Sequence, residues 1–167
     1  MQKHWVIQEM AEHDLYPDIK VWLEKYLRDK YKGYQIETTF ETHKRALDMV
    51  LRERNIRLEE AIDLSIKIDI LGILKRKEAI RLVFIEVKDK PLTLKDLGQL
   101  WGYTQLINPL ESFLLSSSGL GSLSHILNVL KREDLLRYGR KMERFMKVAK
   151  WDIKRKCIDY STLVPKL

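Results

Sequence analysis

Asp69, Glu86 and Lys88 are the residues whose types and spacing can do chemistry. The stretch around them reads as two strands, residues 63–74 and 80–88, joined by the polar turn Lys75-Arg76-Lys77-Glu78. Residues two apart in a strand share a face, so Glu86 and Lys88 point the same way, above Phe84 and Leu82. With Lys75 and Ile80 closing the hairpin, Ile73 opposes Leu82, Leu71 opposes Phe84, Asp69 opposes Glu86 and Lys67 opposes Lys88. Directly opposed side chains have Cβ atoms ~4.5–5.5 Å apart, and like charges placed so destabilise the ladder. The other faces, Leu64-Ile66-Ile68-Ile70 and Val83-Ile85-Val87, are apolar, so both strands are expected to be central. Two carboxylates at the end of such strands need something to neutralise them.

A divalent cation meets that need. Mg²⁺ takes hard oxygen ligands in an octahedron, commonly one or two carboxylates completed by water and phosphate oxygens. Asp69 and Glu86 would supply the carboxylates, the Val87 carbonyl a third oxygen, and Mn²⁺ can substitute. Lys88 would stand beside the ion as a compact cation that stabilises charge on a phosphate under attack or orients the attacking water. The single Cys157 excludes a multi-thiolate zinc site, and the four histidines, His4, His13, His43 and His125, show no metal-binding spacing.

A helix follows the hairpin and carries Gln99-Leu100-Trp101-Gly102-Tyr103. Asp69, then Glu86-Val87-Lys88 across a hairpin, then this Gln-hydrophobic-x-x-Tyr helix, resembles the PD-(D/E)xK nuclease superfamily and its RecB-like and lambda-exonuclease-like branches over residues 12–118. Ile68 stands where the signature has Pro, and Ser65 where the RecB-like branch has Gly. The resemblance implies a restriction-endonuclease-like α/β core, a mixed central β-sheet flanked by helices, with Asp69 and Glu86 on Mg²⁺ and Lys88 assisting hydrolysis. It also implies a Glu from the first helix, with Glu12 the best match and Glu9 the alternative, and it sets Gln99 and Tyr103 near the DNA backbone. Lys67 joins them as a backbone contact.

The surrounding elements are legible from periodicity. Leu15, Ile19, Trp22, Leu23, Tyr26 and Leu27 give an amphipathic helix with Asp14 as N-cap and Pro17 in its first turn. Residues 34–42 alternate as a strand, and Ala46, Leu47, Val50 and Leu51 suit a short helix. A helix over 93–107 turns Leu97, Leu100, Trp101, Thr104 and Ile107 to the core. Residues 112–116 form a short strand, and a further helix starts at Leu123. Residues 134–156 are basic and mostly helical in period, with a last strand at Trp151, Ile153 and Arg155 as the alternative. Strands alternating with helices in this order give an α/β fold with a mixed sheet.

The chain has 167 residues, 33% charged and 45% hydrophobic, which suits a single domain over 1–167 and excludes a disordered chain. Its apolar runs are far shorter than the ~20 residues of a membrane span, and residues 1–5 lack a secretory h-region. A cytoplasmic protein is expected. A net charge of +7 favours a polyanion, and the expected partner is nucleic acid, DNA before RNA, met alone or as a homodimer, with no membrane and no small-molecule cofactor. The expected activity is Mg²⁺-dependent hydrolysis of DNA. Two rivals are a catalytically inactive nucleic-acid-binding module or assembly factor of the same fold, and a peripheral membrane protein bound through residues 134–156.

Overall fold

A computed structural model describes residues 11–166, and Glu9 lies outside them. The first helix, α1 (Tyr16–Lys30), buries Tyr16, Ile19, Leu23 and Leu27 along one stripe. Asp14 does not cap it, because a 3₁₀ turn, Glu12–Leu15, precedes the helix and the Asp14 carboxylate accepts the Ala11 N–H at 3.1 Å instead. Strand β1 (Gln35–Thr39) is shorter than the alternation suggests, since the chain turns at Phe40 into a 3₁₀ segment, Glu41–His43. Helix α2 (Leu47–Arg52) is the short helix expected there.

The hairpin of β2 (Ile70–Arg76) and β3 (Ala79–Lys88) has the register read from the sequence, with Leu71 opposite Phe84, Ile73 opposite Leu82 and Lys75 opposite Ile80. Two details differ. The turn is only Lys77-Glu78, since Arg76 pairs with Ala79, and Lys77 takes a positive φ of 53° there. The ladder also stops at Ile70, so neither Asp69 and Glu86 nor Lys67 and Lys88 are cross-strand partners in it, and residues 64–69 form no strand. Leu64 is exposed, while Ile66 and Ile68 enter the opposite core layer from Ile70. Alternation fails here because a backbone bond from Leu47 N–H to the Ile66 carbonyl draws this segment towards α2.

After the hairpin come α3 (Leu94–Ile107), β4 (Glu111–Ser116), the single turn α4 (Ser122–Ser124) with a π-turn over His125–Val129, and four strands: β5 (Arg137–Tyr138), β6 (Arg144–Phe145), β7 (Lys147–Asp152) and β8 (Cys157–Val164). Thr93 caps α3, its Oγ1 accepting the Asp96 N–H. Leu97, Leu100 and Thr104 are buried as expected, whereas Trp101 is 42% exposed because one face of α3 is uncovered. The basic segment 134–156 is not helical. Its apolar residues mimic a helical period because β7 lies between β4 and β8, with Val148 facing one core layer and Ala149 and Trp151 the other. A strand buried on both faces loses its period of two.

The six-stranded sheet runs β1-β2-β3-β4-β7-β8, parallel at β3–β4 and β4–β7 and antiparallel elsewhere. The fold is therefore α/β with a mixed central sheet, covered by α1 on one face and by α2, α3 and α4 on the other. Gly72 allows α1 its close approach, since a Cβ there would lie 2.9 Å from Leu27 Cδ1. No helix among the described residues is long and apolar enough to cross a membrane.

At the N-terminal ends of β4 and β7, Glu111 and Lys147 form a buried ion pair. The Tyr26 and Tyr31 hydroxyls of the α1 layer donate to the two Glu111 oxygens at 2.6 Å each. Burial alone would raise the Glu111 pKa, but the Lys147 charge and these hydrogen bonds hold it below the ordinary carboxylate range. Removing one partner strands the other charge in the interior, which typically costs ~3–5 kcal/mol. Chemical denaturation should show a loss of that order for Lys147→Met and partial recovery in the Glu111→Leu/Lys147→Met double variant. A Lys147→Met protein as stable as wild type would show that the pair does not hold these strands.

Candidate active site

At the C-terminal end of β3 the chain leaves the sheet, and four segments meet there. Where the ladder ends, the Asp69 side chain takes over from the backbone: its Oδ2 accepts the Val87 N–H at 2.8 Å in a buried bond. The N–H and C=O of one strand residue address the same neighbouring strand. The Val87 carbonyl therefore faces the same gap beyond Ile70 as the Asp69 carboxylate. Glu86, on the α3 face of β3, meets Asp69 from the other side, and both residues are only 7% exposed.

Among the described residues no lysine or arginine forms an ion pair with Asp69 or Glu86. The pair is strained electrostatically for that reason. Burial, then a hydrogen bond with Asp69 and the Asp69 charge, pushes the Glu86 carboxyl far above the ordinary carboxylate range, against the opposing pull of Lys88. Glu12, from the 3₁₀ turn before α1, is raised as well, first by burial and then by Asp69 and Asp89, with Lys88 and His43 opposing. Its Oε1 lies 4.0 Å from Lys88 Nζ. Glu12, Asp69, Glu86, Val87 and Lys88 thus come together, from three segments far apart in sequence.

The other expected contacts do not assemble in the same way. Lys67 and Gln99 are exposed, and Tyr103 packs beside the core under α3. No hydrogen bond or ion pair joins any of these three to the acidic group among the described residues.

Two residues that spacing did not reveal stand against Asp69. His43 Nδ1 lies 3.3 Å from Asp69 Oδ1 and 3.1 Å from the Tyr16 hydroxyl. Burial and the Asp69 carboxylate hold the Tyr16 hydroxyl protonated well beyond its ordinary range. No motif signals His43, because its contact with Asp69 spans 26 residues and follows only from the turn after β1. The serine run after β4 has a second unannounced role. Ser117 N–H donates to the Lys88 carbonyl at 3.1 Å, Ser118 Oγ to the Asp89 carbonyl at 2.7 Å, and Ser116 Oγ to the Lys90 carbonyl at 2.5 Å. Three consecutive bonds thus fix the backbone on which Lys88 stands.

Comparison of the chain with known protein families, curated proteins and solved structures finds no match. The geometry must carry the reading alone. No three His, Cys, Asp or Glu side chains among the described residues form a ready-made metal cage. The donor set of two carboxylates and a carbonyl nevertheless fits Mg²⁺, which keeps several waters and needs only one or two protein carboxylates. A cavity of about 680 Å³ lies at the opposite end of the hairpin, between Arg57, Lys77 and Arg140, and none of the acidic group lines it.

The raised Glu86 pKa has a consequence for stability. Above the ordinary carboxylate value of 4.5, the folded protein holds a proton that the unfolded chain has released, so stability falls as pH rises. In chelator, wild type should lose melting temperature between pH 5 and 8, and Glu86→Gln should flatten that slope. Asp69→Asn keeps an oxygen acceptor for Val87 and should melt at or above wild type at pH 8. Equal slopes for wild type and Glu86→Gln would disprove the shared proton.

Proposed function

We propose that this chain is a metal-dependent deoxyribonuclease with a restriction-endonuclease-like fold, of the PD-(D/E)xK type that its hairpin resembles. One observation carries the reading: two buried carboxylates meet beside a lysine at the end of a strand, with no lysine or arginine paired to them among the described residues. Such an arrangement disfavours the folded state unless a ligand of opposite charge completes it.

Asp69, Glu86 and the Val87 carbonyl would hold Mg²⁺ or Mn²⁺. When bound, the ion supplies Lewis-acid neutralisation of the phosphate oxygens. Lys88 sits on backbone clamped by the serine run, and its ammonium can meet negative charge as it develops on the phosphate. Glu12, 4.0 Å from that ammonium, would help to orient it. Water would attack phosphorus and give up a proton to solvent, the bond to the sugar oxygen would break, and the departing alkoxide would take a proton from solvent, leaving a phosphate monoester and a sugar hydroxyl. Gln99, on the exposed face of α3, and Lys67 would meet the backbone away from the reacting bond. Tyr103 would do so only with the edge of its ring, since the rest supports α3.

The rival is a non-catalytic nucleic-acid-binding module with the same fold, which the exposed Lys67 and Gln99, standing apart from the acidic group, would equally serve. The two separate on one measurement. Labelled DNA incubated with Mg²⁺, Mn²⁺ or chelator should be cleaved only with metal, and not by Asp69→Asn. Lys88→Ala should slow single-turnover cleavage by ~10²-fold or more with little change in affinity, since its role lies in the transition state. Lys88→Arg should not restore the rate, because a planar guanidinium cannot replace a compact ammonium. Salt-sensitive binding with no metal-dependent cleavage would instead establish the binding module.

A further inference from the structure

Next to Asp69 lies a recess of about 580 Å³ between the turn before α1 and the 3₁₀ segment after β1. Its walls are aromatic. The Phe40 and Tyr16 rings lie 6.1 Å apart at 47°, and the His43 ring meets Tyr16 edge-on at 5.0 Å. Phe40 is 40% exposed, so a large apolar ring faces the recess without being covered by any of the described residues.

The rim has the opposite character. Lys44 and Arg45 contribute two cations, and Glu41 the one carboxylate. That carboxylate is already answered by Arg54, whose guanidinium donates to Glu41 at 3.1 Å and to Glu37 at 2.7 Å. Arg45 pairs with Glu53, and Lys44 makes no ion pair among the described residues. The bond from Glu41 N–H to Thr39 Oγ1 at 3.1 Å fixes the turn that presents both Phe40 and Lys44. An occupant would therefore have a flat apolar part for the rings and an anionic part for the rim.

The recess also adjoins the acidic pair through a single side chain. His43 forms part of its wall and touches Asp69 Oδ1. A nucleotide fits this juxtaposition, since its base hangs one sugar away from its phosphate. A base inside a duplex has both faces stacked and its edge paired, so it cannot enter a recess without leaving the helix. We propose that the recess, faced by Phe40 and His43 and backed by the buried Tyr16 ring, stacks an unpaired nucleobase beside the scissile phosphate, which makes single-stranded or flapped DNA the substrate class. The inference deepens the nuclease reading and rests on it for the position of the scissile bond.

The test uses the full chain and oligonucleotides carrying the fluorescent base 2-aminopurine, as single strand, flap and blunt duplex, in chelator so that binding is read without cleavage. Stacking should quench the probe in the single strand and flap and leave the blunt duplex unchanged. Aromatic stacking contributes ~1–3 kcal/mol per base, so Phe40→Ala should weaken single-strand binding by about 5- to 150-fold. Phe40→Trp should retain binding and quenching. Lys44→Ala should reduce the salt dependence of single-strand binding by roughly 0.7 in log–log slope. Phe40 is surface-facing, and a matched melting temperature for Phe40→Ala would show that the loss is not unfolding. Unquenched probe, or equal affinity for single strand and duplex with no effect of Phe40→Ala, would overturn the recess. Cleavage in Mg²⁺ that is insensitive to Phe40 would do the same while keeping the nuclease. Quenching that depends on Phe40, without cleavage by wild type, would remove the nuclease and leave a stacking site on a binding module.

Discussion

The bond from Val87 N–H to Asp69 Oδ2 is the constraint on which the rest of the site depends. A ladder that ended without it would leave a buried backbone donor unsatisfied, at a cost of ~1–3 kcal/mol. By supplying a side-chain acceptor where the backbone of β2 has departed, Asp69 ends the ladder and commits its carboxylate to the gap beside β3. Glu86 is then obliged to face it, because the period of β3 is fixed by Leu82 and Phe84 in the core beneath. Structure and chemistry therefore draw on the same carboxyl group: one oxygen holds the strand end, and the other is left for His43 or a ligand.

The mixed sheet makes this placement possible. β3 is antiparallel to β2 on one side and parallel to β4 on the other, so its C-terminal end has a hairpin partner that can stop early and a parallel partner that runs on. The open edge is created on the first side, and the serine run anchors the chain on the second. In open α/β sheets the carboxyl ends of parallel strands commonly form such crevices. Glu12 arrives from the α1 layer and Glu86 from the α3 layer, so the crevice lies where the two layers part.

Much of this was legible in the sequence because the signals were local. The register of β2 and β3 followed from a short polar turn between apolar runs, and α1 and α3 followed from their periods. The start of β2 was not legible. Leu64, Ile66 and Ile68 continue the alternation of a strand, but Ile66 is claimed by a bond to Leu47 that no local pattern encodes. Segment 134–156 misled for a related reason, as burial on both faces of β7 erased its period. At the site, Asp69, Glu86 and Lys88 could be grouped through the hairpin, and Glu12 only through family resemblance. His43, Tyr16 and the serine clamp needed tertiary structure, because each acts across long separations through ordinary turns.

Along β4 the molecule carries two charged assemblies with opposite fates. At the N-terminal end Glu111 has every oxygen answered by Lys147, Tyr26 or Tyr31. At the C-terminal end, beside Ser116, β3 presents Glu86, which meets Asp69 with no lysine or arginine paired to either among the described residues. The fully partnered charges are thus segregated from the less fully partnered ones at the two ends of one strand. A substitution among the first set breaks a complete set of partners and so acts on how firmly the fold holds, whereas one among the second has no complete set to break.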